Sequence, residues 1–224
     1  MRRTLAVAFA AASLVAVPAR AQTFGMPVFG AGVSSGISLN ADYGFNTFDP
    51  SGNKAKTIGL TGGVALGPLG VTATYASMNP DVGNNQSSIG ATANMKVFGG
   101  PLIPVSVNAQ VGAGYWKIKD GFAPGVDLKY VNIPVSLGIA LNIPTPGVSI
   151  KPWIAPRMQY IRTSGGADDH KTKFGISAGV NLGLVGGING RVAYDQISWG
   201  GGSKWKTFSV GLGWNFNVPV VPGI

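Results

Sequence analysis

The one histidine of the chain, His170, follows two acidic residues, Asp168 and Asp169. An aspartate two positions from a histidine can orient an imidazole that acts as a general base. The carboxylate pair that would complete such a site is not visible, because the chain has no Glu and the polar segment 78–87 contributes only Asp81. Two carboxylates also fall short of the roughly six to eight oxygen ligands of calcium. Since Cys is absent as well, we expect no catalytic residue, no metal site and no cofactor.

Lysines form a second set with chemical potential, because they recur in pairs separated by one residue. These pairs are Lys54/Lys56, Lys117/Lys119, Lys171/Lys173 and Lys204/Lys206. Two residues separated by one position point to the same side of a β-strand. A pair of ammonium groups on one side of a strand suits phosphate binding. The alternative is that these lysines simply extend their charge into water at a membrane interface.

The elements that position these residues are strands, because apolar residues recur with a period of two from Ala31 onward. The period predicts ten strands, at about 31–43, 56–66, 71–77, 88–97, 104–118, 129–142, 148–161, 172–184, 188–198 and 205–217. Turns rich in Gly and Pro alternate with longer polar loops at 44–55, 78–87, 119–128, 162–171 and 199–204. Short turns on one side and longer loops on the other are typical of outer-membrane barrels.

The two faces of the strands indicate the surroundings of the barrel. Charged residues make up 11% of the chain, against about 25% in soluble domains, and the polar face is mainly Gly, Ser, Thr, Asn and Gln. A soluble barrel would carry many charges on its outside, so we place the apolar face against lipid. The sequence predicts an all-β fold, a closed antiparallel up-and-down transmembrane β-barrel of about ten strands, within a range of eight to twelve.

This assignment of faces sorts the charged residues into two groups. The outward lysines near the long loops, predicted to contact lipopolysaccharide phosphates, are Lys54, Lys56, Lys117, Lys119, Lys129, Lys204 and Lys206. The charges predicted to face the lumen are Asp42, Lys96, Lys151, Arg157, Arg191 and Asp195. Arg157 and Asp195 can meet across the eighth strand, which offers only small residues between them. Either side chains fill the lumen, or water fills it and the basic excess favours anions.

The chain begins with features of a secretory signal peptide over residues 1–21. Arg2 and Arg3 precede an apolar run, and Ala19-Arg20-Ala21 is a small-x-small cleavage site. We expect a short periplasmic N-terminal segment at 22–30, the transmembrane barrel at 31–217 and a periplasmic tail at 218–224. The predicted location is the bacterial outer membrane. Nucleic acid is not an expected partner, despite a sequence pI near 9.9.

Two segments carry a resemblance to known proteins. YVNIPVSLG, at Tyr130 to Gly138, is similar to a strand of the opacity-protein and outer-membrane-protein-A-like barrel families, and KPWIAPRMQY at 151–160 resembles the strand that follows it. The resemblance implies a small outer-membrane barrel and no defined activity. Such barrels usually end on an aromatic residue that the barrel-assembly machinery reads. Here Phe216 is followed by eight further residues, so the assembly signal is internal or the last strand is misplaced.

These observations favour a non-enzymatic outer-membrane barrel with a structural or surface-interaction role. Its expected partners are outer-membrane lipid, lipopolysaccharide and the barrel-assembly machinery, and the sequence names no extracellular ligand. A narrow, porin-like passive channel with anion preference is the alternative. A remote alternative is a hydrolase at the barrel rim, because the spacing of Asp168 and His170 resembles the Asp/His pair of omptin-type proteases.

Overall fold

The computed structural model describes residues 23–32, 35–99, 103–119, 125–165 and 168–216. The predicted signal peptide at 1–21 and the predicted tail at 218–224 lie outside these residues. The barrel consists of ten strands: β1 Gly36–Asp49, β2 Asn53–Leu66, β3 Leu69–Pro80, β4 Gln86–Phe98, β5 Val105–Ile118, β6 Leu128–Leu141, β7 Val148–Ser164, β8 Asp169–Leu184, β9 Ile188–Gly200 and β10 Ser203–Phe216. A short extension of β6, Ile143–Thr145, pairs back onto the start of β7.

Every strand pairs antiparallel with its neighbours in the chain, and β1 closes the barrel against β10. Ile37 lies opposite Phe216 at one end of this closing pair, and Asp49 lies opposite Lys204 at the other. The predicted fold class, a closed up-and-down barrel of ten strands, is therefore confirmed. No helix within the described ranges is long and apolar enough to cross a membrane.

The connections between strands define the two ends of the barrel. We call the end with the connections 50–52, 81–85, 119–127, 165–168 and 201–202 the lysine end, and the opposite end, where β1 starts and β10 stops, the terminal end. Most of the loops at the lysine end are shorter than predicted. The loop expected at 44–55, for example, spans only 50–52, because β1 and β2 continue into it. Polar residues such as Asn46 and Thr47 continue the alternation of inward and outward side chains, so the strands extend beyond their apolar portion.

The outer face of the barrel is apolar. Leu212 is 71% exposed and Trp214 is 51% exposed, and most large aliphatic side chains of the strands are exposed in the same way. Tyr75, Tyr160 and Tyr194 lie on this face toward the lysine end, while Trp214 and Phe216 lie at the terminal end. An apolar band between two aromatic girdles is the surface of a barrel that crosses a lipid bilayer.

Prolines interrupt the hydrogen-bond ladder on one side of the barrel. Between β5 and β6 the pairing stops after Val111–Val135 and resumes at Gly114–Asn132, which leaves a gap at Pro134. A similar gap lies at Pro156, where β6 and β7 are unpaired between Ser136–Arg157 and Ile139–Ile154. Proline has no N–H to donate to a ladder, which accounts for the gap in pairing at both positions.

Candidate functional site

The lumen contains a buried ion pair that joins three strands. The Arg157 guanidinium of β7 contacts the Asp195 carboxylate of β9 at two points, with N–O distances of 2.5 and 2.8 Å. Ser177 of β8 lies between them and its hydroxyl accepts from Arg157 at 2.7 Å. Gly175 makes room for this arrangement, because a Cβ there would lie 2.7 Å from the guanidinium carbon. Arg157 and Asp195 thus meet across the strand of small residues at which the sequence analysis places their contact.

A second ion pair joins β1 to β9 across β10. Arg191 Nε donates to Asp42 Oδ1 at 2.6 Å, and a second guanidinium nitrogen contacts the other carboxylate oxygen. Gly211 of β10 is the residue paired with both of them, and a side chain at that position would collide with the Asp42 carboxylate. The two pairs neutralise four of the six charges predicted for the lumen.

Residues 23–32 lie inside the barrel and occupy part of the lumen. Thr23, Met26 and Val28 are buried. Toward the lysine end, the Phe24 ring stacks on Trp116 at 4.6 Å and meets Trp205 edge-on at 4.0 Å. The sequence-based position of residues 22–30 as a periplasmic segment is therefore corrected for the part described. The physical reason is that the aromatic rings of this segment pack against Trp116, Trp153 and Trp205, whose side chains face the lumen.

The same segment packs tightly nearer the terminal end. Phe29 lies 6.2 Å from the Trp153 ring, and the Arg191 guanidinium lies 3.7 Å from the Phe29 ring centre. Gly30 packs against Gly138 and Ala155 so closely that neither glycine has space for a Cβ. This contact lies beside the ladder gap at Pro156. We call residues 23–32 the lumen segment.

Most of the predicted rim lysines form two clusters on the outer face. In the first cluster, Thr47 of β1 is paired with Lys54 of β2 on one side and with Lys206 of β10 on the other. Lys56 and Lys204 belong to the same cluster. Lys206 forms an ion pair with Asp49 at 2.5 Å.

In the second cluster, Lys117 of β5 and Lys129 of β6 are directly opposite each other. Lys117 contacts Asp127, and Lys119 follows at the strand end. All seven predicted lysines lie within the described ranges. Five of them are exposed and form no ion pair with another described residue: Lys54, Lys56, Lys119, Lys129 and Lys204. Their contact with lipopolysaccharide phosphates stays a prediction.

Lys171 and Lys173 of β8 have the opposite orientation. They share the strand face of Gly175 and Ser177, which is the lumen face. Lys171 contacts Asp169 at 2.5 Å, and the Lys173 ammonium donates to the Trp199 carbonyl. This pair has the same spacing as the outward pairs, but its two ammonium groups contact Asp169 and the Trp199 carbonyl.

Comparison with solved structures gives a consistent picture. The β-domain of the Bordetella autotransporter BrkA matches with 13% identity over 82% of this chain and 100% of that chain, at a TM-score of 0.50. The chain has the fold of an outer-membrane β-barrel. The translocator domain of NalP from Neisseria meningitidis also matches, with 13% identity over 82% of this chain and 90% of that chain, at a TM-score of 0.45. The OprF barrel of Pseudomonas aeruginosa matches with 14% identity over 80% of this chain and 97% of that chain, at a TM-score of 0.38. No protein-family model and no curated protein sequence matches the chain.

In this outer-membrane barrel fold, Asp168 and His170 lie exposed at the lysine end. The Asp168 carboxylate faces Arg162 at 3.4 Å, with both side chains 61% exposed. His170 is exposed and its ring lies 6.0 Å from that of Tyr160. Among the described residues no hydrogen bond joins Asp168 to His170, and no group of three potential metal ligands is present.

The lumen of this barrel retains a polar cavity of about 170 Å³, which reaches the terminal end. Lys151 of β7 lines it together with Asn189 and Arg191 of β9. Lys96 of β4 is exposed and shares its strand face with Asn94, which lines the cavity. Sequence reasoning found these cations from strand parity, but it missed that the lumen segment forms the cavity wall through Pro27, Val28 and Phe29.

Proposed function

We propose that the chain is a non-enzymatic protein of the bacterial outer membrane with a structural or surface-interaction role, and that its lysine end faces the cell exterior. There the outward lysines bind the phosphates of lipopolysaccharide. The observation that carries this proposal is the position of the two lysine clusters on the outer face, just beyond the tyrosine girdle. Lipid phosphates lie at that height in a bilayer, and each Lys near an anionic surface contributes about 1 kcal/mol.

The pairing of like charges supports the same role. Lys117 and Lys129 are directly opposite on neighbouring strands, and like charges in that position destabilise a sheet. Asp127 balances one of the two ammonium groups. A lipid phosphate at this position would balance the other. In the first cluster, Asp49 is the only carboxylate that forms an ion pair with one of its four lysines in the part of the chain that the structure describes.

The experiment compares two lipids that differ only in phosphate. The barrel, refolded from lipid-free inclusion bodies, is incubated with lipopolysaccharide or with its dephosphorylated form, and the lipid that co-elutes on gel filtration is measured. The proposal expects phosphorylated lipid to be retained several-fold more than dephosphorylated lipid. Equal retention of both would exclude a phosphate-directed role of the lysine end.

A narrow passive channel with anion preference is the second candidate, and the basic residues lining the terminal-end cavity favour it. The two ion pairs and the lumen segment oppose it, because they occupy the path between the two ends. Steady anion-selective conductance of the intact barrel in planar bilayers would support the channel, whereas its absence supports the structural role. A rim hydrolase is not proposed, because Asp168 faces Arg162 rather than His170.

The barrel-assembly machinery remains the expected partner for insertion. In the structure β10 ends at Phe216, whose side chain lies on the outer face. We propose that this residue, internal to the sequence, serves the recognition role that a terminal aromatic residue has in similar barrels. Loss of membrane insertion in a Phe216→Ala variant, with normal export, would support this assignment, and unchanged insertion would contradict it.

A further inference from the structure

The polar cavity at the terminal end has an unusual charge balance. It lies between the lumen segment and the barrel wall, and Ser149, Gly183, Asn189 and Asn215 in its lining show that it reaches the ends of the strands. No carboxylate is among the described residues that line it. Lys151 lines it, and no ion pair or hydrogen bond joins the Lys151 ammonium to another described residue. Arg191 also lines it but is already paired with Asp42.

A second observation concerns an amide that lacks a partner. The side chain of Asn189 is buried, at 9% exposure, and lines the cavity. Its Nδ2 group has no hydrogen-bond partner within the described residues. Buried donors are nearly always satisfied in folded proteins. An ammonium group without a counter-charge and a buried N–H donor without an acceptor therefore line the same cavity.

The Lys151 ammonium needs a counter-charge and the Asn189 amide needs an acceptor, and the cavity has space for one group that supplies both. Its volume of about 170 Å³ exceeds that of a few water molecules, which take roughly 30 Å³ each in the liquid. Lys96 adds positive charge at the mouth of the same end, where its side chain is exposed. Phe29 of the lumen segment lines the cavity, and its ring is held under Arg191.

We propose that this cavity binds a small free oxyanion, of the size and charge of phosphate or sulfate, which enters from the terminal end. Lys151 supplies the charge and Asn189 supplies a directed hydrogen bond, while Lys96 attracts the anion to the entrance. The site is separate from the lysine end, so the proposal does not depend on lipopolysaccharide binding. It also requires no conduction, since the anion enters and leaves on one side.

The test is titration of the refolded barrel, in a zwitterionic detergent and free of lipid, with inorganic phosphate and with sulfate by isothermal calorimetry. We expect saturable binding of one anion per barrel. Lys151→Gln should weaken the affinity at least tenfold, and Lys151→Arg, which keeps the charge, should restore most of it. Lys173→Gln, which removes an inward charge at the lysine end, is the matched control and should leave the affinity unchanged.

A gel-shift assay of unboiled and boiled samples verifies that each variant forms a closed barrel. A second variant, Lys96→Gln, should lower the affinity less than Lys151→Gln does. Absence of saturable binding to the closed wild-type barrel would overturn the proposal. So would equal affinities of wild type and Lys151→Gln, because the anion would then bind outside the cavity.

Discussion

The Arg157 guanidinium and the Asp195 carboxylate form a two-point ion pair across β8, with the Ser177 hydroxyl between them. Their side chains are 0% and 3% exposed. Removal of one partner leaves the other charge buried without compensation, which costs about 3–5 kcal/mol. Asp195→Asn should therefore lower the free energy of unfolding of the refolded barrel by about that amount, measured by urea titration in detergent.

The control for this prediction replaces both partners. An Arg157→Met/Asp195→Leu variant removes both charges, and we expect its stability to return close to that of the wild type. If the single variant unfolds at the same urea concentration as the wild type, then water reaches the pair and the lumen at this level is open.

The lumen segment should determine whether the barrel conducts. A variant lacking residues 23–32 removes Phe24 from the Trp116 and Trp205 rings and Phe29 from Trp153. We expect the wild type to be silent in planar bilayers and the variant to show discrete conductance steps. Gly30→Arg should act in the same direction, because there is no space for a side chain between Gly30 and Ala155. If neither variant conducts, although each is shown to form a closed barrel, then the ion pairs alone block the lumen.

A charged residue on the apolar outer face should destabilise the barrel, and the cost should be largest near the bilayer midplane. Leu212→Lys places an ammonium group on the lipid face, which costs about 2–4 kcal/mol at the bilayer midplane and less toward the interface. Val82→Lys is the control, since Val82 is 76% exposed in the 81–85 connection at the lysine end. Refolding into lipid vesicles with urea titration measures both. Equal, small effects would show that residue 212 does not face lipid.

The orientation of the barrel can be tested with single cysteines, because the native chain has none. Ser51 lies in the 50–52 turn at the lysine end and Pro68 lies in the 67–68 turn at the terminal end. A membrane-impermeant thiol reagent should label Ser51→Cys on intact cells and spare Pro68→Cys until the outer membrane is permeabilised. The reverse pattern would place the lysine end in the periplasm.

The sequence predicts the strands well for a simple physical reason. Lipid on one side and a crowded lumen on the other impose a strict alternation, so β8 and β10 are visible in the residue pattern alone. The same parity places Arg157, Asp195, Asp42 and Arg191 inside. Strand ends at the lysine end are harder to predict, because beyond the lipid both faces are polar and the contrast between them disappears.

The lumen segment could not be placed from the sequence. Its residues do not alternate, and its partners, such as Trp116, Trp153 and Trp205, come from strands far along the chain. The closely spaced Phe24, Gly25, Phe29 and Gly30 are the one local signal, because aromatic rings and glycines together suit a crowded interior. The seven outward lysines show a further limit, since strand parity gives the direction of a side chain and not what it binds.

The central claim is that the outward lysines bind lipid phosphate, and paired charge removal tests it most directly. One variant carries Gln at Lys54, Lys56, Lys204 and Lys206, and the other carries Gln at the inward Lys171 and Lys173. Lipopolysaccharide retained on the purified barrel should fall strongly in the first variant and little in the second. Added salt should also weaken retention by the wild type, because the Debye length is about 8 Å at physiological ionic strength. Equal loss in both variants would contradict the claim and reduce these residues to ordinary interfacial lysines.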